Sequence, residues 1–421
     1  MVVYAIGALV VALAIWLIVV NAGAARLRFD DPQAARRIRT IGRLIADTQD
    51  KPVHIVFVHG IRADGPGTAQ TFMSGLAKYG PIASPRTGPF NWLERQRFGI
   101  GPWPRNATVF GEKVWESEKA WLASRPFADR YVFKRAGAPP VIVDEINWWP
   151  LLFPLKGPLV VAPEAQLSGV DKAHLDLLRQ EKDPYYPWLS EAAYQKALQG
   201  PGISGGGAWG NAELKQQLVS WGLADAVIAL GPMRRLIRLA MNEAFNYAAT
   251  FDGHDIESQE FVVVAESLGS FVVLEAATNV HGDAPRARDV VARTADIWLF
   301  ANQFRLLELA RVAQLAALPE PEAALKVAAP PHEPSVFEML NAWAAPRAEL
   351  AQLAPTRSKQ IVAFSDPSDA LTYTVPPLPP VTVLNVFDRN ETNWFNLFAN
   401  PLKAHSGHSA NPKVLSYLFK T

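Results

Sequence analysis

Phe261-Val262-Val263-Val264-Ala265-Glu266-Ser267-Leu268-Gly269-Ser270 joins a buried-strand pattern directly to a helical one, with Ser267 at the junction. A turn that tight strains its central residue and brings the chain close to itself, so the positions two before and two after the serine must be small. Ala265 and Gly269 meet that demand. This is the pattern of a nucleophile elbow. It exposes Ser267 at the carboxyl end of the strand and leaves the Leu268 N–H at a helix N-terminus, able to stabilise an oxyanion. On this segment alone the simpler alternative stays open, Ser267 as an ordinary N-cap of the following helix.

Runs of the same kind recur on either side: Val53–Val58, Val141–Glu145, Ile297–Ala301, Ile361–Phe364 and Val381–Val386, each short, β-branched or aromatic, and ending in turn or polar residues. Helical patterns fall between several of them, over Thr68–Tyr79, Leu223–Phe251, Leu268–Asn279, Phe304–Ala317 and Val336–Leu353. Strands alternating with helices predict an α/β fold, a mostly parallel sheet with helices on both faces. The spacing is uneven, because roughly a hundred residues separate Glu145 from Phe261 where a simple crossover needs about thirty. A cap insertion over about 148–222 accounts for the excess. It opens with Trp148-Trp149-Pro150-Leu151-Leu152-Phe153-Pro154, which reads either as core packing of the cap or as an apolar wall for an acyl chain. Its Gly202-Ile203-Ser204-Gly205-Gly206-Gly207 lacks the Gly-Lys-Ser/Thr ending of a phosphate cradle and is expected to be a loop or hinge.

The first strand ends Val56-Phe57-Val58-His59-Gly60-Ile61-Arg62. A hydrophobic strand ending in His-Gly, followed far downstream by the elbow, resembles the α/β-hydrolase superfamily, specifically its lipase and esterase-like members. The resemblance covers about half the chain, roughly residues 50–100, 141–147, 260–305 and 360–421. It implies that the loop after His-Gly supplies a second oxyanion-hole N–H, from Ile61 or Arg62, beside that of Leu268. His59 is implied to pack and to hold that loop by hydrogen bonds. A triad needs an acid and a histidine after the serine, each at a strand end. Ser365-Asp366-Pro367-Ser368-Asp369-Ala370-Leu371 and Lys403-Ala404-His405-Ser406-Gly407-His408 supply candidates for both. The resemblance favours Asp369, since Asp-Ala-Leu is similar to the Asp–small–aliphatic pattern of lipases, with Asp366 as the alternate acid. It favours His405 as base, with His408 as the alternate. His408 occupies a position more often held by an aromatic residue in the family.

Residues 2–20 are uncharged and almost wholly apolar, and at about 1.5 Å per residue they extend roughly 28 Å, close to the hydrocarbon thickness of a bilayer. Residues 1–25 are therefore expected to form a single transmembrane anchor and 26–50 a basic, helical stalk, with the hydrolase domain over 51–421. Arg26, Arg28, Arg36, Arg37, Arg39 and Arg43 follow the apolar stretch and place the domain on the cytoplasmic side, the alternative being periplasmic or extracytoplasmic. A cleaved signal is the competing possibility for Ala22-Gly23-Ala24, although the charged n-region is missing.

The 421 residues carry 41 Lys and Arg against 40 Asp and Glu, so no domain-scale charge points to nucleic acid. With no Cys, a thiolate metal site, an iron–sulfur cluster and a cysteine nucleophile are excluded. No metal-binding spacing of histidines stands out, and no cofactor is expected. The expected activity is that of a membrane-anchored serine ester hydrolase, carboxylesterase or lipase-like, acting on lipid or acyl esters through Ser267, His405 and Asp369. A peptidase or amidase using the same triad, or a non-catalytic binding module of the same fold, are the alternatives. Oligomeric state is left open.

Overall fold

The computed structural model describes residues 26–60, 69–82, 95–99, 108–109, 112–113, 126–148, 152, 223–231, 234–278, 282, 284–309, 334–345, 350, 353, 355, 357–390 and 401–421. In chain order its elements begin with β1 (Arg28–Phe29), α1 (Pro32–Arg37), α2 (Ile41–Asp47), β2 (Val53–Val58) and α3 (Gln70–Tyr79). Next come β3 (Arg95–Gly99), a small ribbon of β4 (Thr108–Val109) and β5 (Glu112–Lys113), and a hairpin of β6 (Phe127–Arg135) and β7 (Ala138–Asn147). Later in the chain follow α4 (Ala224–Leu230), α5 (Arg234–Ala249), β8 (Glu260–Glu266), α6 (Leu268–Thr278), α7 (Pro285–Arg293), β9 (Asp296–Phe300), α8 (Phe304–Glu308) and α9 (Val336–Ala344). The last elements are β10 (Gln360–Ser365), β11 (Thr382–Phe387), α10 (Pro401–Ser406) and α11 (Pro412–Phe419).

Among the described residues, nine strands form one sheet in the order β1-β11-β10-β9-β8-β2-β7-β6-β3. The six from β11 to β7 are parallel, while β1 at one edge and β6 and β3 at the other run antiparallel. Both faces are covered, which is why the central strands read as continuous apolar runs. Val56, Val58, Val263, Ala265, Leu299 and Ala363 point to a layer containing α5, α6, α7 and α9. Ile55, Phe57, Val262, Val264, Phe300 and Phe364 point to one containing α1, α2, α3 and α11. The chain moves from β2 outward to β7, then returns to β8 on the other side of β2. Such a switch point leaves a crevice at the carboxyl ends of the flanking strands, where open α/β sheets place their ligands.

The helix expected over 223–251 is two helices, α4 and α5, separated at Gly231. Strand β6 was hidden in the sequence because its centre carries buried charge. Arg130 sends Nε and Nη2 to the two oxygens of Asp144 on β7 at 2.7 and 2.8 Å, and Asp144 also meets His54 Nε2 on β2 at 2.7 Å. Paired in this way, the charges are tolerated inside a sheet.

The segment expected as a stalk is instead part of the domain. β1 pairs with β11, and Ile41, Leu44 and Ile45 bury one face of α2 against the sheet at helical spacing. Gly42 lies against the end of α11 so closely that a Cβ there would sit 2.0 Å from the Phe419 carbonyl oxygen. Arg39 donates through Nη2 to both oxygens of Asp296 at 3.0 and 3.2 Å, and its backbone pairs with the Gln360 amide. The arginines of this segment read as a basic stalk, whereas its apolar residues Ala34, Ile38, Ile41, Leu44 and Ile45 pack into the core. Arg39→Ala is expected to destabilise the domain by about 1.5–3 kcal/mol, the range for a hydrogen bond to a charged group. A lower urea midpoint with an unchanged slope would report it.

The apolar stretch 1–25, and all of the expected cap except Trp148 and Leu152, lie outside the described residues. No helix among the described residues is long and apolar enough to cross a membrane.

Candidate active site

Strand β8 delivers Ser267 to the carboxyl edge of the sheet, beside the end of β2. Ser267 has φ +51°, in the left-handed region that costs a non-glycine residue on the order of 1–3 kcal/mol. Neighbouring backbone holds it there, with the Ser267 N–H donating to the Phe300 carbonyl of β9 at 2.7 Å. Two glycines make the close approach possible. A Cβ on Gly60 would lie 2.6 Å from Ser267 Cβ, and one on Gly269 would lie 2.4 Å from the His59 carbonyl oxygen. The smallness read from the sequence at position 269 therefore has a specific cause, the crossing of the β8–α6 turn over the end of β2.

Ser267 does not behave as an N-cap. An N-cap serine has extended backbone and accepts from an amide two or three residues ahead. Here Oγ lies 2.7 Å from Nε2 of His405, and Nδ1 of the same imidazole lies 2.7 Å from Oδ2 of Asp369. The network requires Nδ1 to carry the proton toward Asp369, leaving Nε2 to accept from the serine hydroxyl. Asp369 is further fixed by the Leu371 N–H at 2.9 Å and by the Thr372 hydroxyl. Burial works to raise the Asp369 carboxyl, but His405, Thr372 and the Leu371 N–H outweigh it and hold it below its ordinary value. Its contribution to stability is therefore complete above the ordinary carboxylate range and is lost as pH falls through the lowered folded value.

The structure brings Ser267, His405 and Asp369 together and gives the two alternates other partners. Asp366 accepts from the Ser368 N–H at 2.8 Å and the Asn390 N–H at 2.7 Å, shaping the turn that presents Asp369. His408 is turned to Asp388, with Nδ1 3.1 Å from Oδ2. Leu268 begins α6, where the first amides of a helix have no intrahelical acceptor. Ile61 and Arg62 lie outside the described residues. His59 is held as a packing residue: its Nδ1 lies 2.7 Å from the Gly60 carbonyl, its Nε2 accepts from the Trp148 N–H at 3.2 Å, and the two rings stack. Thr372 and Asp388 went unnoticed in the sequence. For Asp388 a signal existed, a carboxylate directly after a strand, like Asp366.

Glu266 precedes the serine and is buried. Burial pushes its carboxyl from 4.5 up to about 7, against the lowering pull of His405 and His408. The folded state therefore holds this proton more tightly than the unfolded chain. Its cost to stability is absent well below 4.5, grows from there to 7 and is constant above. Glu266→Gln is expected to stabilise the protein at pH 8 by up to about 3 kcal/mol and to change little at pH 4. Urea titrations at the two pH values check this, and equal effects at both would refute it.

Chemically, the arrangement can remove a proton from a serine hydroxyl and hold the resulting imidazolium against a carboxylate that stays ionised. Among the described residues, no three His, Asp or Glu side chains lie together as metal ligands. No protein-family model matches the chain, and no curated protein matches its sequence.

Proposed function

We propose that this chain is a membrane-anchored serine hydrolase of the α/β-hydrolase superfamily, cleaving carboxylic esters, foremost lipid or acyl esters. One observation carries the proposal: an unbroken chain from Ser267 Oγ through His405 to Asp369, 2.7 Å at each step, centred on a serine with φ +51°. Strain of this kind persists only where surrounding structure over-determines it, and it concentrates at reactive sites.

The reaction runs in two acyl transfers. His405 Nε2 takes the Ser267 hydroxyl proton as Oγ attacks the ester carbonyl carbon. The tetrahedral oxyanion faces the Leu268 N–H at the start of α6, with a second amide from Ile61 or Arg62. The carbon–oxygen bond to the alcohol breaks, His405 returns its proton to the departing oxygen, and the acyl group stays on Ser267. Water, deprotonated by His405, then attacks the acyl carbon, the bond from that carbon to Ser267 Oγ breaks, and His405 returns the proton to Oγ as the carboxylic acid is released. Asp369 orients the imidazole and faces its charge without taking the proton.

The apolar run at 2–20 supports the substrate class, since an anchored enzyme meets membrane-proximal esters at high effective concentration. The arginines that follow favour a cytoplasmic domain. One observation favours a second reading, a hydrolase-fold binding module without turnover: Ser267 is only 1% exposed. A fluorophosphonate probe applied to the full-length protein in detergent and in membranes separates the two. Labelling of wild type but not of Ser267→Ala or His405→Ala supports the hydrolase, and p-nitrophenyl esters of graded chain length then define its preference. A wild type that stays unlabelled in both settings overturns it.

A further inference from the structure

Three residues beyond His405 stands a second buried imidazole–carboxylate pair. His408 is 0% exposed, and its Nδ1 lies 3.0 and 3.1 Å from the two carboxylate oxygens of Asp388, itself 2% exposed. The imidazole lies parallel to the Phe300 ring, at 6° and 6.4 Å between centroids. Phe300 is the residue whose carbonyl holds the Ser267 N–H. Asp388 follows β11 and donates its own N–H to the Ser365 carbonyl at the end of β10, at 3.1 Å.

From this pair the contacts continue around the histidine segment. Asn411 Nδ2 reaches Asp388 Oδ2 and Asn390 Oδ1, each at 3.2 Å. Asn390 donates its N–H to Asp366 and its Nδ2 to the Ala404 carbonyl, both at 2.7 Å. Ala404 is the neighbour of His405. The ends of β9, β10 and β11 are thus joined to residues 404–411 by a set of contacts separate from the Ser–His–Asp chain.

A phenylalanine at 408 would stack on Phe300 without the desolvation of two polar groups, and buried ion pairs by themselves are weak sources of stability. Burial opposes a charge on His408, yet the Asp388 carboxylate, helped by Glu266 and Asp369, outweighs it and raises its affinity for a proton. The cost of burying this pair is matched by its location, between the strand ends and the short segment that carries His405.

We propose that the His408–Asp388 pair is a positioning device for His405, locking residues 404–411 to the end of β11 so that Nε2 meets the Ser267 hydroxyl. This rests on the hydrolase reading. His408 touches no reacting atom; it acts through the placement of another histidine.

The test uses full-length wild type, His408→Phe, His408→Asn and Asp388→Asn, each with its thermal midpoint. The readouts are the rate of fluorophosphonate labelling at Ser267, and kcat and KM on a p-nitrophenyl ester. The phenylalanine keeps the ring and removes the donor, whereas the asparagine keeps a donor near the place of Nδ1 and removes the ring. Misplacement of a catalytic group by about 1 Å costs on the order of a hundredfold. His408→Phe and Asp388→Asn are therefore expected to lower kcat and the labelling rate about 10- to 100-fold with KM unchanged, while His408→Asn recovers most of the loss. Wild-type rates in His408→Phe, or a loss that merely follows the folded fraction, overturn the positioning role. Should His408→Phe not fold, the contrast between His408→Asn and Asp388→Asn decides, and equal rates in those two count against it. An unlabelled wild type fells the hydrolase reading and this role with it. A labelled wild type with unaffected variants fells this role alone.

Discussion

Ser267→Ala is expected to lower ester turnover about a million-fold and to abolish fluorophosphonate labelling, because serine and histidine act as one unit in this chemistry. No other hydroxyl is positioned on His405 Nε2 among the described contacts. The fold should survive, since alanine fits the small space beside Gly60 and the Ser267 N–H still reaches the Phe300 carbonyl. His405→Ala should fall equally far, and the double variant no further, which is the signature of a unit rather than of two independent contributions. Steady-state kinetics with near-native circular dichroism provides the measurement. Turnover persisting in a folded Ser267→Ala protein would remove the serine from the reaction.

Asp369→Asn is expected to cost about ten-thousandfold in kcat while leaving the geometry almost intact. An amide at this place can offer N–H toward Nδ1, which moves the imidazole proton to Nε2 and deprives Ser267 of its acceptor. Asp366→Asn is the control. Its carboxylate accepts two backbone amides in the supporting turn, so its loss should appear as reduced stability, with kcat falling far less than for Asp369. A kcat loss for Asp366→Asn equal to that for Asp369→Asn would reverse the assignment of the acid.

Much of this architecture was legible along the chain because the central strands are buried on both faces. Val53–Val58 matches β2 residue for residue, and the runs that became β8, β9, β10 and β11 are displaced by only a residue or two at their ends. The flanking strands were not legible, for physical reasons. β6 carries Arg130 at its centre, and only Asp144 and His54, distant in sequence, make that position tolerable inside a sheet. β1 is two residues long and exists because β11 presents a free edge to it. α11 is eight residues of mixed character whose apolar positions make sense only against α3 and the sheet.

For the candidate site, the sequence by itself determined the strained serine between a small residue and a glycine, at the joint of a strand and a helix. Those requirements are local, set by backbone sterics within a few residues. It also determined the order of serine, acid and histidine. The resemblance favoured Asp369 and His405, and those are the two that the geometry joins to Ser267, but the physical reason that separates each pair lies only in the tertiary structure. Asp366 and Asp369 lie three residues apart in the turn after β10, and His405 and His408 three apart at and just beyond the end of α10, so backbone sterics within either segment do not separate them. The separation comes from packing between segments apart in sequence: the end of β11 brings Asp388 to His408 and Asn390 to Asp366, leaving His405 to meet Asp369 through Nδ1 and Ser267 through Nε2.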